Sequence, residues 1–375
     1  MSGEAPRTPG RPIRVCFVGP SLDILGGQAV QLDRLRRQFR DDPDVTVDFI
    51  PVNPRLPGPL RALQRVKYVR TVVTGIAYAG TLLRRVGRYD VVHAFSASYW
   101  SYLLAPLPAM LVARLYARAV VLNYRSGEAP DHLARWTRSR RTMRLAHLIV
   151  VPSGYLVEEF GRFGLGAESI PNFVDVARMP YRERPTPRPV FLSNRNLEPL
   201  YNVGCVLRAF ARVQARVPDA RLIVVGDGSQ RGALEELARE LGLQQVEFRG
   251  RVAPEAMAAV YAEADVYLNS PDIDNMPGSI IEAFAAGLPV VSTNAGGIPF
   301  IVDSGRTGLL VERNDHVAMA DAALRVLLEA GLAGALAGAA RQECVSRYTW
   351  PQVRAHWVDL YRSACARAGR ALVRP

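Results

Sequence analysis

Short runs of β-branched and apolar residues alternate with longer stretches of helical period along almost the whole chain, and this alternation limits the fold more than any other feature. In the first half the runs are 13–19 (IRVCFVG), 45–50 (VTVDFI), 89–95 (YDVVHAF), 119–124 (AVVLNY) and 148–153 (LIVVPS). Runs apolar along their length and spaced by helices are the pattern of βα units, which build a parallel sheet covered on both faces. Five strands are expected there. A stretch holding Pro171, Pro180, Pro185, Pro187 and Pro189 then interrupts the pattern and reads as a connection between domains. The alternation restarts at 190–194 (VFLSN) and continues through 221–226, 246–250, 264–270, 289–294 and 308–312. A final segment, WPQVRAHWVDLYRSACARAGR, has helical spacing and no strand after it. The expected fold class is α/β, with two Rossmann-like doubly wound domains facing a central cleft. Residues 1–185 form the first domain, 186–350 the second, and 351–375 a helix returning to the first. A chain of 375 residues is long enough for two cores.

Charge is divided unevenly. Residues 1–187 hold 27 Lys+Arg against 15 Asp+Glu, whereas 188–375 hold 20 of each, so the whole excess lies in the first half. That suggests an anionic partner, either a membrane surface or nucleic acid, although aromatic-interleaved basic motifs of nucleic-acid modules are missing and that partner is not expected. Lys67 is the single lysine, so the arginine content also reflects a general bias. Cys16, Cys205, Cys344 and Cys365 lie far apart without metal-ligand spacing; reduced, buried thiols are expected. The polar start MSGEAPRTPGRP and the lack of a long apolar run lead us to expect a cytoplasmic protein, at most at the inner face of the membrane.

In open parallel sheets ligands bind beyond the C-terminal strand ends, where helix N-termini meet anions. Gly26-Gly27 stands at such a place after the first strand, without the GxGxxG of a dinucleotide site. VVGDGSQRG (224–232) has a Gly-x-Gly but not the third glycine spacing, and reads as a structural βα turn. The most informative segment is 270–311, SPDIDNMPGSIIEAFAAGLPVVSTNAGGIPFIVDSGRTGLLV. Here a strand should end, a loop carry Asp274, and a helix begin near Pro277-Gly278-Ser279, with Glu282 one turn inside it. A carboxylate there can accept hydrogen bonds from vicinal hydroxyls such as those of a ribose.

This segment resembles the signature of the retaining glycosyltransferases of family four, which have the GT-B fold. Asp274 and Glu282 match the spacing of that family's acidic pair, and AAGLPVV, TNAGGIPFIV, GLLV and VVGDGSQRGALEELARELGL with VEFRGRV follow its usual course. The resemblance implies an EC 2.4 hexosyltransferase moving a sugar from a nucleotide-sugar, a UDP-sugar foremost, to an acceptor hydroxyl with retention. It implies that Glu282 holds the donor ribose and Asp274 approaches the transferred sugar. Asn275, Met276, Pro277, Gly278, Ser279 and Ile280 would contact sugar and phosphate, Val252 the base, Gly26 and Gly27 the diphosphate, and His93 would face the sugar at the reaction centre. It implies no obligatory metal or cofactor. Two departures stand out. The first acid is Asp where Glu is usual. Of the Arg and Lys that normally neutralise the diphosphate, Arg195 can serve, but Tyr201 stands where the Lys is expected; Arg125 is a candidate substitute. These departures keep a non-catalytic nucleotide-sugar binder or scaffold open as the alternative.

The acceptor is expected to be a cell-surface glycan or lipid-linked saccharide. Segments 60–88 and 99–116 mix apolar positions with cations or aromatics, as a helix lying on an anionic membrane would.

Overall fold

The computed structural model describes residues 11–23, 27–56, 58 and 66–369. Their first compact unit gathers residues from 1–152, 156–170 and 354–375, and the second 153–155 and 171–353.

The first unit contains β1 (Ile13–Gly19), α1 (Gly27–Gln38), β2 (Val45–Pro51), α2 (Lys67–Arg85), β3 (Val91–Ser96), α3 (Tyr99–Leu104) and α4 (Pro106–Leu115). After these come β4 (Ala119–Tyr124), α5 (Ala129–Arg135), α6 (Thr137–Met143), β5 (Leu148–Val151), α7 (Gly154–Arg162) and β6 (Glu168–Ser169). The six strands are parallel in the order β2-β1-β3-β4-β5-β6. All of β3, β4 and β5 is buried, as expected of strands covered on both faces. The sheet thus has one strand more than the sequence pattern indicates. At two residues, β6 is too short to show any periodicity.

The second unit contains β7 (Val190–Asn194), α8 (Val203–Arg216), β8 (Arg221–Val225), α9 (Arg231–Glu240), β9 (Val246–Gly250), α10 (Met257–Glu263) and β10 (Val266–Asn269). It continues with α11 (Gly278–Ala286), β11 (Val290–Thr293), β12 (Leu309–Val311), α12 (His316–Leu328) and α13 (Leu332–Arg347), and then α14 (Trp350–Arg367) follows. Its parallel order is β12-β11-β10-β7-β8-β9. The winding direction reverses between β7 and β10, so the ligand end of this sheet lies beyond Asn194 and Asn269.

The Pro-rich connection packs on the second unit as far back as residue 171, so residues 171–185 belong there and not with the first domain as the sequence suggested. Asp265, at the start of β10, is the anchor. It is buried and pairs with Arg182, Arg184 and Arg188 from the connection. Arg184 is itself fully buried and donates to the carbonyls of Tyr261, Ala264, Ala286 and Gly287 at 2.7–3.1 Å, closing the C-terminal ends of α10 and α11. Prolines leave few backbone donors in the connection, and arginine side chains provide them. From Arg354 onward α14 belongs to the first unit. There Arg354 donates to Asp42 and Asp44 at 2.7–3.0 Å, and Arg362 to Asp44 at 2.9 Å.

All four cysteines are free and buried, with Cys16 pushed up to about 12 chiefly by burial, so they are inert thiols. Among the described residues no single helix is long and apolar enough to cross a membrane.

Candidate functional site

The polar groups of the second unit converge where its sheet reverses. Arg195 leaves the end of β7, and the loop after β10 carries Asp274 to meet it in an ion pair that is largely withdrawn from solvent. Arg195 Nη1 also donates to Ser279 Oγ at 3.1 Å, at the start of α11. Burial opposes the charge of Arg195, but Asp274 more than compensates and its pKa is raised. The two residues expected to act separately, one on the sugar and one on the diphosphate, therefore hold one another.

Tyr201 lies face-on beneath the Arg195 guanidinium, 4.1 Å from ring centroid to Cζ. Where a second cation was expected, the chain places an aromatic face that orients the first. Such a contact is worth about 1–2 kcal/mol when partly desolvated.

Glu282 is buried on α11 and accepts the Tyr261 hydroxyl at 2.9 Å. Tyr261, fully buried on α10, in turn accepts from Asn194 Nδ2 at 2.9 Å. This chain fixes the Glu282 carboxylate relative to the end of β7. Helix α11 begins with Pro277 extended (φ −64°, ψ 118°) and Gly278 in its first position; the Ile280 amide donates to the Pro277 carbonyl at 3.2 Å, while those of Gly278 and Ser279 precede the first helical turn. Ser279 and Ile280 are buried beside them, as are Asn275, Met276 and Pro277; Asn172 Nδ2 holds the Met276 carbonyl at 2.8 Å. Val252, after β9, is half-buried against the core that includes Ile280 and Tyr261.

Glycines lock these loops together. A Cβ at Gly296 would stand 2.1 Å from the Asp274 carbonyl oxygen, and one at Gly297 1.9 Å from that of Asn275. Only a backbone without side chains lets the AGG turn support the Asp274 loop, and Gly297 N donates to Asp274 O at 3.0 Å. Gly226 (φ +131°) plays the same part on the other side, where a Cβ would meet the Arg195 carbonyl oxygen at 2.0 Å. The glycines of VVGDG thus serve loop packing, in agreement with the structural reading of that motif.

In the first unit the outcome is different. His93 is fully buried in β3, with Nε2 accepting from Asn123 Nδ2 at 3.0 Å and Nδ1 facing Tyr361 Oη at 2.9 Å. Its ring stacks on Phe95 at 4.5 Å and on Trp357 at 5.2 Å. Both nitrogens and both faces are occupied, so the expectation of His93 at a reaction centre is corrected: it is a core histidine, kept neutral by burial and by Arg125, which hold its pKa well below the usual value. Gly27 opens α1 on the surface, with no atom within 4 Å of a Cβ built on it. Gly26 lies outside the described residues. Arg125 follows β4, bonds Asn123 Oδ1 at 3.4 Å, and is lowered to about 10 by burial.

Tyr261, Asn194, Gly296 and Gly297 were not singled out for the site from sequence. The Gly-Gly pair of TNAGG was the available signal; Tyr261 lies in an ordinary-looking helix.

Comparison with known proteins gives the family. A family model described as Glycosyltransferase Family 4 matches residues 25–178, and one described as Glycosyl transferases group 1 matches 187–329. The chain belongs to the group 1, family 4 glycosyltransferases. It is 28% identical over 258 residues to the GDP-mannose-dependent alpha-(1-6)-phosphatidylinositol monomannoside mannosyltransferase of Mycobacterium tuberculosis, covering 66% of this chain and 65% of that protein. The D-inositol 3-phosphate glycosyltransferase of Corynebacterium urealyticum is 36% identical over 176 residues, 44% of this chain and 41% of that one. Sucrose-phosphate synthase from Thermosynechococcus elongatus superposes with a TM-score of 0.76 at 19% identity, over 95% of this chain and 99% of that chain. Anabaena HepE in complex with UDP-glucose gives 0.75 at 18%, over 94% and 100%. These structural likenesses establish the GT-B fold.

Proposed function

We propose that this chain is a retaining hexosyltransferase whose nucleotide-sugar donor is held by the second unit. The observation that carries this reading is the convergence of Arg195, Asp274, Ser279 and Glu282 at the reversal point of the sheet, beside the start of α11. The diphosphate lies against the first amides of α11 and the Arg195 guanidinium, since both stabilise an anion that gains charge as the sugar leaves. Glu282 accepts from the ribose hydroxyls, Val252 lies along the base, and the Asp274 loop borders the sugar. Departure and attack occur on one face, with the donor phosphate receiving the acceptor proton, and no metal is required. A UDP-sugar is the first donor candidate, supported by the UDP-glucose complex of HepE; the GDP-mannose-dependent relative makes GDP-mannose the second. The acceptor is a cell-surface or lipid-linked saccharide, in keeping with the phosphatidylinositol monomannoside named for that relative.

Incubation with UDP-glucose, UDP-galactose, UDP-N-acetylglucosamine and GDP-mannose tests this through release of nucleoside diphosphate and the NMR signal of the anomeric proton. One donor is expected to be consumed, with the released or transferred sugar appearing first with its original anomeric configuration. Inversion would overturn the retaining mechanism, and no release from any donor would favour the non-catalytic binder.

A further inference from the structure

We infer that the outer face of α2, α3 and α4 is a docking surface for an anionic lipid bilayer. Among the described residues, the large hydrophobic side chains left exposed concentrate here: Val72, Ile76, Leu83, Leu104, Leu111 and Leu115 are 47–73% exposed, and Trp100 is 67% exposed. Their spacing is regular. With about 3.6 residues per turn, Val69, Val72, Ile76 and Leu83 fall within about 60° of arc on α2. Tyr78 and Leu82, which are buried, lie on the other side. Helix α2 therefore has two apolar faces, one spent on the unit's own core and one turned outward. Trp100 and Leu104 share a face of α3, and Leu111 and Leu115 share one of α4. Two hydrogen bonds tie the helices into one surface: Tyr78 Oη to the Ala105 carbonyl at 2.7 Å, and Tyr116 Oη to the Leu83 carbonyl at 2.8 Å.

The charge around this face selects the occupant. Between residues 56 and 127 the sequence has one acidic residue, Asp90, and it is buried and paired with Arg11 and Arg14. Arg70, Arg84, Arg88 and Arg114 are exposed over the same stretch. An apolar stripe flanked by arginines, whose neighbouring exposed carboxylates Asp48 and Asp131 are paired with Arg85 and Arg135, suits acyl chains beneath anionic headgroups. Each cation near such a surface strengthens attachment at physiological salt, and apolar insertion adds to that.

The test uses the full chain and measures binding, so it is independent of the transferase reading. Wild type should pellet with vesicles of about 30% phosphatidylglycerol in phosphatidylcholine at about 0.1 M salt, and only weakly with phosphatidylcholine alone. Val72→Glu with Ile76→Glu should cut that binding about tenfold or more. Both positions are exposed on a helix, where Glu is well accommodated, so the fold and its melting temperature should be kept. Arg84→Gln with Arg88→Gln should weaken binding and lessen its salt dependence. Absence of wild-type pelleting, or equal pelleting of the Glu variant, overturns the proposal. So does a dimer that forms without vesicles and is dissolved by the Glu substitutions, which would assign the face to a second copy.

Discussion

Arg195→Ala should lower kcat by about 10²–10³-fold, the loss typical when one preorganised donor to a developing anion is removed. The geometry makes this site more sensitive than a lone surface cation. Arg195 bonds Ser279 at the start of α11 and pairs with Asp274, so its removal leaves a carboxylate unpaired and, with the donor placed as proposed, takes positive charge from the diphosphate. The second effect can be separated from the first. Arg195→Ala combined with Asp274→Asn should recover part of the loss relative to Arg195→Ala alone, because the orphaned negative charge has gone. Tyr201 divides the account further. If its ring orients the guanidinium, Tyr201→Phe should keep nearly full activity while Tyr201→Ala loses about five- to tenfold, in line with a cation–π contact. Release of nucleoside diphosphate under saturating donor checks all four variants. An Arg195→Ala enzyme within threefold of wild type would remove Arg195 from the mechanism.

The second large effect is on stability. Arg184→Met should destabilise the second unit by about 3–5 kcal/mol, which for a unit of this size lowers its melting temperature by about 10 °C. The guanidinium lies at zero side-chain exposure and satisfies carbonyls at the ends of two helices, so methionine leaves buried acceptors without donors. Arg188→Met is the control. That side chain also reaches Asp265 but is 56% exposed, and such a pair contributes about 1 kcal/mol or less. Calorimetry of the two variants should show a shift for Arg184→Met several times that of Arg188→Met; equal shifts would mean that the ion pair, not the helix-end bonding, holds the connection.

Strand positions were legible because a strand buried on both faces must be apolar throughout, and a helical segment must not. β4, β7 and β9 begin and end where their apolar runs do. The same logic failed for β6, whose two residues are exposed, and for the connection, where arginines among prolines look solvated but Arg184 is buried. The site divided similarly. That Asp274 stands in a loop and Glu282 one turn into the helix after it was readable from the helix-start residues between them. That Asp274 would pair with Arg195 was not, because the pairing depends on β7 and β10 being neighbours at the sheet's reversal, a property of strand order that linear spacing does not encode. His93 misled for a related reason. A histidine at the end of a run of buried residues is placed equally well for solvent or for the interior, and Trp357 and Tyr361, which settle the matter, lie in the last helix of the chain.

The central claim is a donor site at Glu282 and the start of α11, and calorimetric titration of wild type and Glu282→Ala with UDP, GDP and ADP tests it most directly. The account predicts that one nucleotide binds wild type and that Glu282→Ala loses about tenfold or more of that affinity, as expected for a charged acceptor of ribose hydroxyls. Equal binding to both proteins, or binding of none of the three to wild type, would contradict it.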